Sequence, residues 1–208
     1  MIYFGRNSLG MAGTESALAR RRRAAGGRWS CVGGAIAGLL LSATGARAQE
    51  VTEPSLKAAV LFNVARFAEW RPEALPAGMP LTACVLNDAP VTDALERYVK
   101  GRQVSGRGVN VIRVTADGPL RSCHVLYISG ITAAQLAVVV KAVAGAPVLT
   151  ISDFDAFARK GGVVHMYVEN GKINFNVDLG LARRSGLQLS SRMLTLAAHV
   201  YETAAGAQ

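Results

Sequence analysis

LTISDFDAFARKGGVVHMYVENGKINFNVDLGLARRSGLQLSSRMLTLA, residues 149–197, carries most of the signals that decide the fold. Leu149-Thr150-Ile151, with Val148 before them, form an apolar run of strand length. Ser152-Asp153-Phe154-Asp155 has the form of a capping box, with an acid three residues after the serine. It predicts a helix with Phe154, Phe157 and Ala158 on its apolar face and Gly161-Gly162 at its end. Both aspartates are then explained without catalysis, because acids favour a first helical turn. Residues 163–168 and 172–177 flank Glu169-Asn170-Gly171, and Asn-Gly between two such runs is a strong hairpin signal. Asp178 is placed to cap a short helix through Arg184, with Gly186 at its C-terminal end. Ser190 or Ser191 opens a last helix, whose expected stripe is Leu189, Met193, Leu196 and Val200.

Upstream, Pro54 suits a first helical turn, and a helix to about Trp70 follows. Leu56, Val60, Phe67 and Trp70 share its helical spacing with Asn63, expected as a hydrogen-bonded core amide, while Leu61 and Phe62 point off that stripe. Residues 81–86, 109–114, 123–128 and 148–151 read as strands. Between them lie a helix over residues 91–100 and one capped by Thr132, with Leu136, Val139, Val140 and Val143 facing the core. The basic, glycine-rich residues 101–108 lack phosphate-loop spacing and read as a solvated connection. Continuous apolar strands alternating with helices imply one α/β domain: a mostly parallel mixed sheet, helices on both faces, and an antiparallel C-terminal hairpin.

The chain has 208 residues, 50% hydrophobic and 18% charged, and a formal charge of +9. That charge invites a nucleic-acid reading, which fails at the N-terminus. Arg20 to Arg23 and Arg28 form a basic n-region, residues 31–43 an apolar run, and Ala46-Arg47-Ala48 a cleavage site before Gln49. Residues 1–48 are therefore expected to be a cleaved signal peptide, with an uncleaved anchor as the competing reading and Met1 or Met11 as the start. The leader holds seven of the 23 basic residues and one of the 14 acids, leaving 16 against 13, a net of +3. Residues 49–208 are expected to form one exported domain without a transmembrane span. Cys84 and Cys123 remain in it, either as a disulfide or as two buried thiols on neighbouring strands. An oxidising compartment favours the bridge, which would close a loop of about 40 residues and contribute ~4 kcal/mol.

No catalytic frame is legible. His124, His165 and His199 are not at metal-ligand spacing, and H-E-x-x-H, C-x-x-C, G-x-S-x-G and G-x-G-x-x-G are all absent. The expectation is a non-enzyme without cofactor or metal, and each histidine reads as structural or surface.

The mature chain resembles the YfiR family of periplasmic proteins. The likeness rests on Lys57-Ala58-Ala59, Phe62-Asn63 and Phe67-Ala68-Glu69-Trp70, then on Cys123 through Ser129 and Val148 through Asp153. It continues through Phe157-Ala158, Gly161-Gly162, Phe175-Asn176-Val177, Ala182-Arg183, Gly186-Leu187 and Leu189-Ser190-Ser191 to Leu194. The resemblance implies a periplasmic, commonly dimeric α/β domain. It would bind the periplasmic sensor domain of a membrane diguanylate cyclase and so restrain cyclic di-GMP synthesis and biofilm formation. Cys84 and Cys123 match one family cysteine pair; a second pair, found in some members, is missing. Phe157, Glu169, Phe175, Arg183 and Met193 are the candidate contact residues. For Phe157, Phe175 and Met193 the plainer role is core packing, and for Glu169 a solvated turn. A periplasmic small-molecule sensor with a pocket near Arg183 is the alternative.

Overall fold

Strands that must bury both faces need cover on both, and the chain supplies it in order. A computed structural model describes residues 52–169 and 171–202; the expected leader and Asn170 lie outside these. The elements are α1 (Glu53–Arg66), β1 (Ala68–Trp70), β2 (Leu81–Leu86), α2 (Ala89–Val99), β3 (Val109–Val114), β4 (Val125–Ile128) and α3 (Ala133–Val143). They continue with β5 (Leu149–Ser152), β6 (Val164–Glu169), β7 (Lys172–Asp178), α4 (Leu179–Arg184), β8 (Leu187–Leu189), α5 (Ser191–Leu196) and β9 (His199–Tyr201). The main sheet has the order β3-β2-β4-β5-β6-β7-β9, and β1 pairs with β8 in a separate antiparallel ribbon. The run from β3 to β6 is parallel, β7 is antiparallel to β6, and β9 is parallel to β7. The expected mixed α/β sheet is therefore the fold.

Alternation along the strands divides the interior into two cores. Ala83, Val85, Val125, Tyr127, Leu149, Ile151, Val164, Met166 and Val177 pack with residues of α1, α2 and α4. Cys84, Leu86, Leu126 and Ile128 pack on the opposite face with Leu136, Val139 and Val143 of α3 and with Phe157. Thr132 closes α3 with a full capping box to Gln135. Asp178 caps α4 by accepting from the Leu181 amide at 2.8 Å.

Four sequence expectations need correction. The first helix stops at Arg66, because residues 68–70 pair with residues 187–189 as β1 and β8. Its buried side is Ala58, Leu61, Phe62 and Ala65, the side judged off-stripe, and Asn63 is exposed. No α-helix follows Ser152: the serine ends β5, and its hydroxyl donates to the Ile128 carbonyl at 2.6 Å while accepting from the Phe154 amide. Ala156 then takes a left-handed φ of +56°, which a continuing helix forbids, and only a 3-10 turn over Phe157–Arg159 remains. Gly162 is not a helix stop either; a Cβ there would overlap the buried Phe157 ring. Lastly, α5 ends at Leu196, and His199 to Tyr201 pair with β7, so Leu196 and Val200 are 61% and 41% exposed. In each case long-range strand pairing or close packing overrides a local pattern.

A covalent link and a polar one hold the parallel half. Cys84 and Cys123 are joined by a disulfide with a Cα–Cα distance of 5.8 Å, and both are buried. The Arg107 guanidinium, from the glycine-rich connection, donates to the Pro76 and Met79 carbonyls rather than facing a free anion. Replacing Cys84 and Cys123 together by alanine should lower the free energy of unfolding by about 2–4 kcal/mol. Urea titration under non-reducing conditions measures this, and an unchanged midpoint would refute the bridge's contribution.

His124 joins β4 to the loop before β2. Its Nδ1 accepts from the Thr82 amide at 3.0 Å, which leaves Nε2–H to donate to the Ala74 carbonyl at 3.1 Å. Burial pushes its pKa below the ordinary 6.5 despite the bond to Ala74, and Arg107 lowers it further. The folded state therefore binds this proton less readily than the unfolded chain. The stabilisation is present above pH 6.5 and is lost as the pH falls below it. Urea midpoints should drop between about pH 7.5 and about pH 5, and His124→Asn should flatten that slope.

Candidate functional site

Helix α3 packs on the second face with residues of β2 and β4, and that face turns polar from Thr150 and Ser152 of β5 onward. On β6 it presents His165, Tyr167 and Glu169; on β7 Lys172, Asn174 and Asn176; on β9 His199 and Tyr201. The other parity of the hairpin, Val164, Met166 and Val168 against Val177, Phe175 and Ile173, faces the first core. His165, Asn176 and His199 lie in one lateral row across three strands. His165 stacks on Tyr167 with ring centres 5.3 Å apart, and His199 on Tyr201 at 6.4 Å.

The turn after β5 forms the facing wall. Between it and the polar strands lies an open cleft of about 430 Å³, lined by Asp153, Asp155 and Arg159 on one side and the histidine row with Tyr167 and Tyr201 on the other. The volume is in the usual range for small-ligand sites. Asn176 Oδ1 is buried at the floor and accepts no hydrogen bond among the described residues. Burial pushes the His165 pKa down, against the pull of Asp155 and Asp153 and with help from Arg159.

Asp153 is the fixed point of the wall. Its Oδ2 accepts from Lys57 Nζ at 2.7 Å, from the Tyr127 hydroxyl at 3.0 Å and from the Ser129 hydroxyl at 3.4 Å. Lys57 also reaches Glu53 at 2.8 Å. Burial alone would lower the Lys57 pKa, but Asp153 and Glu53 outweigh it and hold the ammonium above the ordinary lysine range. Burial and the Asp153 charge raise Tyr127, which stays a neutral donor. Two residues read as first-turn acids thus have other roles: Asp153 ties the turn to α1 and Asp155 faces the cleft.

The five sequence candidates do not form one patch. Phe157 and Met193 are fully buried core residues, which corrects their reading as contact side chains. Phe175 is half-buried on the first face, cross-strand from Met166. Glu169 is exposed at the hairpin end beside Asn174, on the polar face. Arg183 is exposed on α4 and pairs with Glu202 at 3.4 Å, so it does not line the cleft expected near it. His165 and Asn176 were legible as hairpin parity; His199 was not, because residues 190–200 carry a helical spacing.

Among the described residues, no group of three or more His, Cys, Asp or Glu side chains is placed to hold a metal ion. No described helix is long and apolar enough to cross a membrane. Asp153→Asn should cost about 2 kcal/mol, because Lys57 loses a charged acceptor in a half-buried setting. The Lys57 contribution in the wild type should persist up to pH 10.5 and fall as the lysine titrates above it. Unfolding at neutral pH and above pH 10.5 checks both statements.

One solved structure with a similar backbone is the ABC domain in complex with L-Trp from Streptococcus pneumonia. It shares 12% identity and a TM-score of 0.46 over 71% of this chain, and this chain spans 60% of its length. That likeness is too distant to bear on function. A family model, DUF4154, described as YfiR/HmsC-like, matches residues 54–198. The match runs from the first turn of α1 to the residue before β9, and so takes in every element but the last. The chain belongs to the YfiR/HmsC-like family.

Proposed function

We propose that this protein is a periplasmic, homodimeric regulator, exported by a leader cleaved after Ala48, that binds the periplasmic sensor domain of a membrane diguanylate cyclase. Binding holds the cyclase in check, lowering cyclic di-GMP and biofilm formation; the protein itself performs no catalysis. The observation that carries this reading is the family match over residues 54–198. A signal-peptide pattern over residues 1–48 supports the compartment.

The hairpin supports a docking role. Its apolar parity runs past the helices that cover the sheet: Val168 is 57% exposed opposite Ile173, and Phe175 is half-buried next along the face. Exposed apolar side chains grouped in this way are suited to a partner surface. Glu169 at the same end of the hairpin supplies charge, and Arg183 offers a second charged position on α4.

The test is capture of the cyclase's periplasmic domain by the purified protein, with cyclic di-GMP measured in a deletion strain. Capture and a rise in cyclic di-GMP on deletion are expected. Val168→Glu should weaken capture without moving the unfolding midpoint, since the side chain is exposed on the apolar face of the hairpin. Absence of capture together with unchanged cyclic di-GMP would overturn the proposal.

A further inference from the structure

The cleft over β6, β7 and β9 is not explained by a docking surface on the opposite parity of the hairpin. We propose that this cleft is a binding site for an uncharged saccharide. The inference stands on the cleft alone and does not depend on the regulator reading.

Charge is the first argument. The wall carries two carboxylates, Asp153 and Asp155, and the Arg159 guanidinium, while Lys57 bonds Asp153 from behind. Two acids against two cations leave the wall without a surplus charge to attract a strong anion or a polyamine. A neutral ligand rich in hydrogen-bonding groups suits such a wall.

Hydrogen-bonding capacity is the second. The cleft presents carboxylate and amide acceptors, guanidinium donors, and imidazole and phenol groups that do either. A sugar hydroxyl both donates and accepts, so neighbouring hydroxyls can satisfy such a mixed set. Asn176 makes the demand specific: its Oδ1 is an enclosed acceptor without a donor among the described residues, and turning the side-chain amide about its last bond would present that oxygen to a ligand hydroxyl in the cleft. It sits centrally in the His165–Asn176–His199 row. That row spans two strand spacings, roughly 9.6 Å, a length that one or two sugar rings cover.

Apolar contact is the third. Tyr167 and Tyr201 lie on opposite diagonals of this row, because β6 and β9 run in opposite directions, and each is steadied by stacking on its histidine. Such rings offer an apolar face beside a polar edge, matching the C–H faces and hydroxyl rim of a pyranose. The open side of the cleft leaves room for a chain of sugars to continue into solvent.

The test is a panel of glucose, galactose, N-acetylglucosamine, maltose and cellobiose, with putrescine and citrate as charged comparators. Calorimetry and unfolding midpoints are the readouts. At least one saccharide should bind with a Kd of about 1 mM or tighter and raise the midpoint. Asn176→Leu removes the orphaned acceptor and His199→Ala an exposed ring; each should weaken that binding by about tenfold while the unliganded protein stays folded. The proposal is overturned if no saccharide binds, if putrescine or citrate binds instead, or if binding survives unchanged in the folded His199→Ala protein.

Discussion

The central parallel strands admit no water on either face, and the rest of the molecule follows from that constraint. Tyr127 is fully buried under α1 while its neighbours Leu126 and Ile128 are fully buried under α3. Strands of this kind need a helix on each side, and the chain lays α1, α2 and α4 on one face and α3 on the other. The constraint relaxes at β6. From there one parity of side chains remains apolar and the other becomes histidine, tyrosine and asparagine, so the second face needs no helix and a cleft stands in its place.

The parts legible in the sequence are those where local pattern and long-range packing agree. Leu81 to Leu86, Val109 to Val114, the Thr132 cap and the hairpin around Gly171 each occur where periodicity and turn chemistry place them. Three of the disagreements share one cause. Residues 67–70 continue a helical spacing, but the pairing of Glu69 with Gln188 takes them into a ribbon. Ser152 to Asp155 imitate a cap, yet Lys57, about a hundred positions earlier in the chain, takes the first aspartate. Residues 197–201 look like the end of a helix until β7 offers an edge. In all three the deciding partner is remote in sequence, beyond the reach of any local window.

The candidate site suffered most from this, because its floor draws on two of the misread segments. His165, Tyr167, Asn174 and Asn176 could be placed together by counting alternate residues along the hairpin. Nothing in a local reading joins them to His199 and Tyr201 or sets Asp155 opposite. The contact candidates Phe157 and Met193 illustrate the converse: large apolar residues beside recognisable motifs are packing elements, and the missing side chain of Gly162 leaves the space that the Phe157 ring fills.

Strand β9 has a practical bearing on how this family is delimited. The shared region ends at residue 198, whereas His199 and Tyr201 follow it. A chain trimmed to the family limits would keep both hydrophobic cores and lose one bank of the cleft. It would also expose the backbone edge of β7 beside the already exposed Val168 and the half-buried Phe175, the arrangement that invites edge-to-edge association between copies. Poor behaviour of such a trimmed chain would reflect an uncapped sheet rather than an unstable core.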